Sequence, residues 1–118
     1  GAEGETRAAL YLETKGYRIE GRNVRAGGVE MDLIARRGRL VVFIEVKTRR
    51  TRLFGPPEMA VDTAKRRRLV RGAQVWLNEN GRGVAGARFD VIGWQVESTS
   101  TGEIWHLRHL EAAFEAGD

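Results

Sequence analysis

The sequence predicts an α/β protein, a central mixed sheet flanked by helices, in the order α-β-β-β-α-β-β. Three observations predict it. Two stretches carry apolar residues at helical spacing. Short apolar or alternating runs, bounded by glycine-containing turns, lie between and after them. The composition, 42% hydrophobic and 31% charged, is that of a globular chain rather than a disordered one. With 118 residues, a single domain over residues 1–118 is expected. A chain of this size buries roughly 65% of its unfolded surface, enough for its own core.

Residues 5–15 read as a helix because Glu5, Ala8, Ala9 and Leu12 recur on one face, and Gly16 stops it. Residues 17–24 alternate as a strand, and Ala26-Gly27-Gly28 is a turn. Residues 29–36 and 40–48 read as two strands around Arg37-Gly38. The second opens with Leu40-Val41-Val42-Phe43-Ile44, a run expected of a strand buried on both faces. Residues 49–58, with Pro56-Pro57, read as an irregular loop. Asp62 is placed to cap a helix over residues 63–78, with Leu69, Val70, Ala73, Trp76 and Leu77 as its apolar stripe and Asn80-Gly81 as its stop. Residues 88–96 form a strand, 98–102 a polar turn and 103–107 a last strand; the tail after Arg108 reads as a short helix. Gly81-Arg82-Gly83-Val84-Ala85-Gly86 matches the spacing of a dinucleotide fingerprint. That motif needs a strand before it and a helix after it, the reverse of the order here, so the segment is a helix exit.

The absence of cysteine excludes disulfides, thiolate metal sites and a cysteine nucleophile. Twenty Lys and Arg against 16 Asp and Glu give a net charge of +4, which invites a polyanionic partner. Most of the cations are arginine, suited to forked contacts with phosphate. No segment approaches the ~18 apolar residues of a membrane span. Gly1 to Glu5 lack the basic-then-apolar order of a secretory signal, so a cytoplasmic location without membrane contact is expected. His106 and His109 lack a third ligand nearby, and Trp76, Trp94 and Trp105 are assigned to the core.

The residues that carry chemistry are Glu30, Asp32, Glu45 and Lys47. Alternation puts Glu30 with Asp32 and Glu45 with Lys47. A two-residue turn at Arg37-Gly38 pairs Arg36 with Arg39, sets Asp32 opposite Phe43 and Glu30 opposite Glu45, and brings all four polar groups to one side. Asp32 and Glu45 are then diagonal neighbours, about 7–8 Å apart at the backbone, close enough for their carboxylates to converge on one ion. Carboxylates beside an apolar core need compensation, and a divalent cation supplies it. Hard oxygen ligands suit Mg²⁺ or Mn²⁺. Lys47 is placed to assist an attacking water or steady phosphoryl oxygens. Taken alone, an alternating Glu and Lys pair is ordinary surface.

The company these residues keep is more specific. Val29-Glu30-Met31-Asp32-Leu33-Ile34-Ala35-Arg36, followed by Val42-Phe43-Ile44-Glu45-Val46-Lys47-Thr48-Arg49, resembles the signature of the bacterial YraN family. That family is similar to the archaeal Holliday-junction resolvases, and both belong to the PD-(D/E)XK nuclease superfamily. The resemblance extends to Gly4-Glu5 with Ala8, Ala9 and Leu12, to Phe54-Gly55, to Val61 with Lys65 and to Arg88-Phe89-Asp90, roughly residues 4 to 95. It implies a restriction-endonuclease-like αβββαβ core whose first three strands form a meander. It also implies an active site of Asp32, Glu45 and Lys47 with Glu5 reaching in from the first helix. Asp32 and Glu45, joined by Glu5, would bind the metal, and Lys47 would position the water. Met31 stands where the superfamily has proline and Val29 where glycine is expected; neither change removes a ligand.

Glu5 also lies on the apolar stripe of its helix, where a carboxylate needs a partner, although a first-turn Glu is favoured by the helix dipole alone. Glu30 is a direct ligand, a ligand through water or an arginine's partner. Asp90, within a run of Phe, Val and Ile, is expected to be a buried structural carboxylate or a support beside the site. Lys65, Arg66, Arg67, Arg68 and Arg71 crowd the start of the second helix, where cations oppose the macrodipole and a phosphate would relieve them. Arg49, Arg50 and Arg52 are placed to form the other lip of a nucleic-acid groove. The function expected is metal-dependent hydrolysis of DNA, branched or otherwise structured by family similarity, with a homodimer matching a symmetric substrate. The alternatives are a catalytically silent nucleic-acid-binding scaffold and a protein-interaction module.

Overall fold

The structure, a computed structural model, describes residues 1–51 and 61–117. Helix α1 spans Ala2–Thr14, strand β1 Arg18–Ala26, β2 Val29–Arg37, β3 Leu40–Arg49, helix α2 Thr63–Asn80, β4 Gly86–Thr99 and β5 Gly102–Phe114. The strands make one mixed sheet in the order β1-β2-β3-β4-β5. The first three form an antiparallel meander, β4 lies parallel to β3, and β5 returns antiparallel to β4. A parallel neighbour requires a crossover, and α2 lies on it.

Alternation along β3 builds two apolar faces. Val42, Ile44 and Val46 pack with Ala8 and Leu12 of α1, whereas Val41 and Phe43 pack with Leu69, Ala73 and Trp76 of α2. β3 is buried continuously from Val41 to Val46, as its apolar run predicts. Asp62 caps α2 as its position predicts, accepting the Lys65 N–H at 2.8 Å. Trp76 and Trp94 lie in the two cores, while Trp105 is half-buried beneath Arg7, whose guanidinium lies 4.2 Å from its ring centroid.

Two close approaches lock the helices down. A Cβ on Gly72 of α2 would lie 2.4 Å from Val29 Cγ1 and 2.9 Å from the Ala26 carbonyl, so the helix meets the β1–β2 turn only through a glycine. At the amino end of α1, a Cβ on Gly4 would lie 2.3 Å from Thr48 Oγ1, and the Trp94 indole N–H donates to the Gly4 carbonyl at 3.0 Å.

Three expectations are corrected. The β2–β3 turn is Gly38-Arg39: Arg37 pairs with Leu40, a slip of two residues from the expected register. Gly38 adopts φ +63°, the first-position geometry that a glycine supplies in a two-residue hairpin loop. The tail after Arg108 is strand, not helix, because β5 runs on to Phe114. A bulge permits this: Ala112 takes φ +50°, its N–H donates to Asp90 Oδ1 at 3.0 Å, and Phe114 stacks on Phe89 at 4.9 Å. The third concerns Glu30. Strict alternation places it with Asp32 and Glu45, but Met31 packs in the α2 core and Leu33 in the α1 core, so the facing of β2 changes at Asp32. Glu30, next to inward-facing Met31, is exposed. Most of the expected loop over residues 49–58 lies outside the described residues, as does Arg52.

Candidate active site

The site forms where β2 and β3 part. Their ladder ends at Leu33 and Ile44; one step further would set Asp32 opposite Glu45, nearer than the diagonal relation expected. Here the Asp32 carboxylate replaces the missing ladder bond, accepting the Val46 N–H at 2.8 Å through Oδ2. Asp32 is thereby fixed in the strand gap.

Glu45 projects on the α2 side of β3 and is 4% exposed. Its Oε1 receives two ammonium groups: Lys47 Nζ at 3.5 Å, from the same strand, and Lys65 Nζ at 3.3 Å, from the first turn of α2. Its Oε2 is buried and has no hydrogen-bond partner among the described residues. Burial pushes the Glu45 carboxyl above the usual carboxylate range, and the nearby Asp32 charge pushes it further, against the opposing pull of Lys65 and Lys47. A buried carboxylate with one unsatisfied oxygen, a second carboxylate beside it and hard oxygen donors throughout is a donor set that fits Mg²⁺ or Mn²⁺.

Glu5 reaches the same end of the sheet from α1, but its carboxylate turns to Arg22, 4.0 Å away. Arg22 sits on β1 opposite Leu33 and also donates to the Ala2 carbonyl at 3.2 Å. Among the described residues, no three acidic or imidazole groups gather closely enough to hold an ion by themselves. The expected trio therefore resolves into the Asp32 and Glu45 pair, with Glu5 held apart by an arginine whose part the sequence did not signal.

The basic residues divide. Arg67 and Arg68 are exposed on α2. Arg66 donates to the Val61 carbonyl and lies over Phe114, and Arg71 donates to Gly27, so both brace the fold. Arg49 is half-buried and donates to the Thr48 carbonyl at 3.4 Å, whereas Arg50 pairs with Glu103. Lys65, expected in the nucleic-acid groove, instead contacts Glu45 directly. No sequence signal reports that contact, because it joins residues 20 apart across two elements.

Residues 4–94 match the model of the uncharacterised protein family UPF0102. The chain belongs to this family. It is the YraN family whose signature the sequence resembles. The UPF0102 protein of Symbiobacterium thermophilum is 46% identical over 116 residues, covering 98% of this chain and 96% of its own. That of Geobacter metallireducens is 42% identical over 115 residues, covering 98% and 91%. Among solved structures, Pyrococcus furiosus SfsA in complex with Ca²⁺ is similar at a TM-score of 0.44 and 14% identity, over 89% of this chain and 58% of that one. The UPF0102 match begins at Gly4, seated against Thr48, and ends at Trp94, which bonds to Gly4. It thus encloses Glu5, Asp32, Glu45, Lys47 and Lys65 and stops before β5. None of the helices among the described residues is long and apolar enough to cross a membrane.

Proposed function

We propose that this UPF0102 protein hydrolyses phosphodiester bonds in DNA, with Asp32 and Glu45 holding Mg²⁺ or Mn²⁺. The observation that carries the proposal is Glu45: a carboxylate 4% exposed whose second oxygen has no hydrogen-bond partner among the described residues, set beside Asp32 and Lys47. Such an ion, when bound, lowers the pKa of a water and offsets charge on the phosphoryl group. Lys47, already within 3.5 Å of Glu45, orients that water and steadies the phosphoryl oxygens. Glu5, 4.0 Å from Arg22, would be free to join Asp32 and Glu45 as a ligand if the Arg22 guanidinium turned to a phosphate. Arg67 and Arg68 hold the DNA backbone, which gives affinity without sequence readout and favours substrates recognised by shape, branched DNA first among them. A symmetric branch needs two cuts, so the working unit is a homodimer. The proposed setting is the cytoplasm.

The test is cleavage of labelled four-way junction, flap, single-stranded and linear duplex DNA with Mg²⁺, Mn²⁺ or EDTA, beside Glu45→Ala. Metal-dependent cuts that vanish in the variant support the proposal. Equal cutting by the variant, or none on any substrate, sinks it. One observation favours a silent nucleic-acid-binding scaffold instead: two ammonium groups already balance Glu45. That reading predicts DNA binding unaffected by Glu45→Ala and no turnover.

A further inference from the structure

The contact between Lys65 and Glu45 asks for more than a groove lysine. Lys65 is held at both ends. Its backbone N–H is bonded to Asp62 at 2.8 Å, which fixes the first turn of α2, and its Nζ lies 3.3 Å from Glu45 Oε1. Lys47 Nζ lies 3.5 Å from the same oxygen, so two like charges from different elements converge on one atom. Ammonium groups repel each other, and the arrangement holds because the buried Glu45 charge, with Asp32 beside it, attracts both.

The charges close. Asp32 and Glu45 carry two negative charges, and Lys47 and Lys65 carry two positive ones. A divalent cation brings the same positive charge as the two ammonium groups together. Entering a site that is already balanced, it leaves an excess of two positive charges in a place shielded from water. The excess is relieved if an ammonium leaves Glu45 or if a phosphate arrives. Lys65 has somewhere to go: its side chain is 29% exposed, at the amino end of a helix whose N–H groups attract anions.

We propose that Lys65 is a resident counter-ion of the site, occupying the cation position beside Glu45 in the free protein and passing to the DNA phosphate when the divalent ion binds. The proposal rests on the metal assignment above and adds to it a coupling between ion and substrate. Without phosphate, Lys65 opposes the ion. With phosphate bound, it ties the ion to the substrate, so that the site holds the ion more tightly on DNA than off it.

The measurement is Mn²⁺ affinity without DNA, by titration calorimetry and by loss of the free Mn²⁺ paramagnetic resonance signal, on the full chain. Lys65→Gln is expected to bind Mn²⁺ about tenfold more tightly than the native protein, a size that one charge removed at ion-pair distance supports. Lys65→Arg keeps the charge and is expected to keep the native affinity. Arg82→Gln removes the same charge beyond the far end of α2 and is expected to leave affinity unchanged. Circular dichroism checks that each variant is folded, and an unfolded Lys65→Gln leaves Lys65→Met to carry the comparison. Equal Mn²⁺ affinity in native protein and Lys65→Gln, or equal tightening by Arg82→Gln, overturns the proposal while leaving the metal assignment standing. No Mn²⁺ binding by native protein or variant overturns both.

Discussion

Asp90 and Glu45 are the two buried carboxylates among the described residues, at 1% and 4% exposure, and their partners separate their roles. Asp90 is saturated. It accepts two bonds from Arg88 at 2.8 and 2.9 Å, one from His109 Nε2 at 2.7 Å and the Ala112 N–H at 3.0 Å. Burial alone would push its carboxyl up, but the bonds from His109, Arg88 and Ala112 outweigh that and hold it below the usual carboxylate range. Because the folded state binds this proton less readily than the unfolded chain, the stability Asp90 contributes is full above the ordinary carboxylate pKa, about 4. It is lost as the pH falls through the lower folded value. Asp90→Asn is expected to cost about 3 kcal/mol at pH 7, since it leaves the Arg88 charge with only the exposed Glu111 carboxylate as an ion-pair partner. The acid limb of stability should flatten in the same variant. Urea unfolding from pH 7 down to pH 3 measures both, and an unchanged acid limb refutes the assignment. Glu45 is the opposite case, raised rather than lowered and half satisfied. Glu45→Gln is expected to end cleavage while leaving the unfolding midpoint level with or above the native one. The sequence set the two apart by local company: Asp90 stands in an apolar run, whereas Glu45 stands with Asp32 and Lys47. It was silent on Arg22 at Glu5 and on Lys65 at Glu45, contacts that depend on how α1 and α2 dock.

Elements were legible wherever a local signal decided them. The β3 run, the Asp62 cap and the α2 stripe each name their element without help from tertiary structure. The failures lie where packing overrides local preference. Leu110, Glu111, Ala112 and Ala113 favour helix on propensity, yet β5 continues through them because Asp90 satisfies the bulge and Phe114 gains a stacked ring. The hairpin register slipped by two residues because Gly38, not Arg37, opens the turn. A slip of two keeps each side chain on its face, so Glu45 and Lys47 were still assigned to one side. The helix–turn contact offers a test at this scale. On an exposed helix, Gly→Ala gains about 1 kcal/mol. At Gly72 the new methyl would meet Val29 Cγ1 at 2.4 Å and the Ala26 carbonyl at 2.9 Å. Gly72→Ala is therefore expected to destabilise, by about 1–3 kcal/mol. Adding Val29→Ala should recover part of the loss, since it removes the nearer obstacle but not the carbonyl. Denaturant midpoints of the two single variants and the double variant decide it. A stabilised Gly72→Ala would show that the helix does not press on the turn.

For the whole molecule, topology followed from the order of elements: three strands joined by short turns make a meander, and one intervening helix lets the fourth strand lie parallel to the third. Net charge was equally legible at +4, but its distribution was not. Of the cations expected to face nucleic acid, Arg66 and Arg71 brace backbone carbonyls, Arg50 pairs with Glu103 and Lys65 with Glu45; Arg67 and Arg68 remain exposed beside the amino end of α2. Without divalent ion, when Lys65 stays on Glu45, DNA affinity should therefore depend on these two far more than on the others. Each phosphate contact releases condensed counter-ions, so losing one lowers the slope of log affinity against log salt by about 1. Arg67→Ala with Arg68→Ala is expected to weaken binding to every DNA shape alike and to reduce that slope by about 2. Asp32→Ala, which removes a carboxylate from the site and no cation from the surface, should abolish cleavage while keeping affinity within a few-fold and the slope unchanged. Fluorescence anisotropy over a salt series reads both quantities from one titration. A slope unmoved by the double arginine variant would place the DNA on another face of the sheet. A slope steepened by Asp32→Ala would mean that this carboxylate repels the backbone in the bound state, and so that phosphate approaches the site without an ion between them.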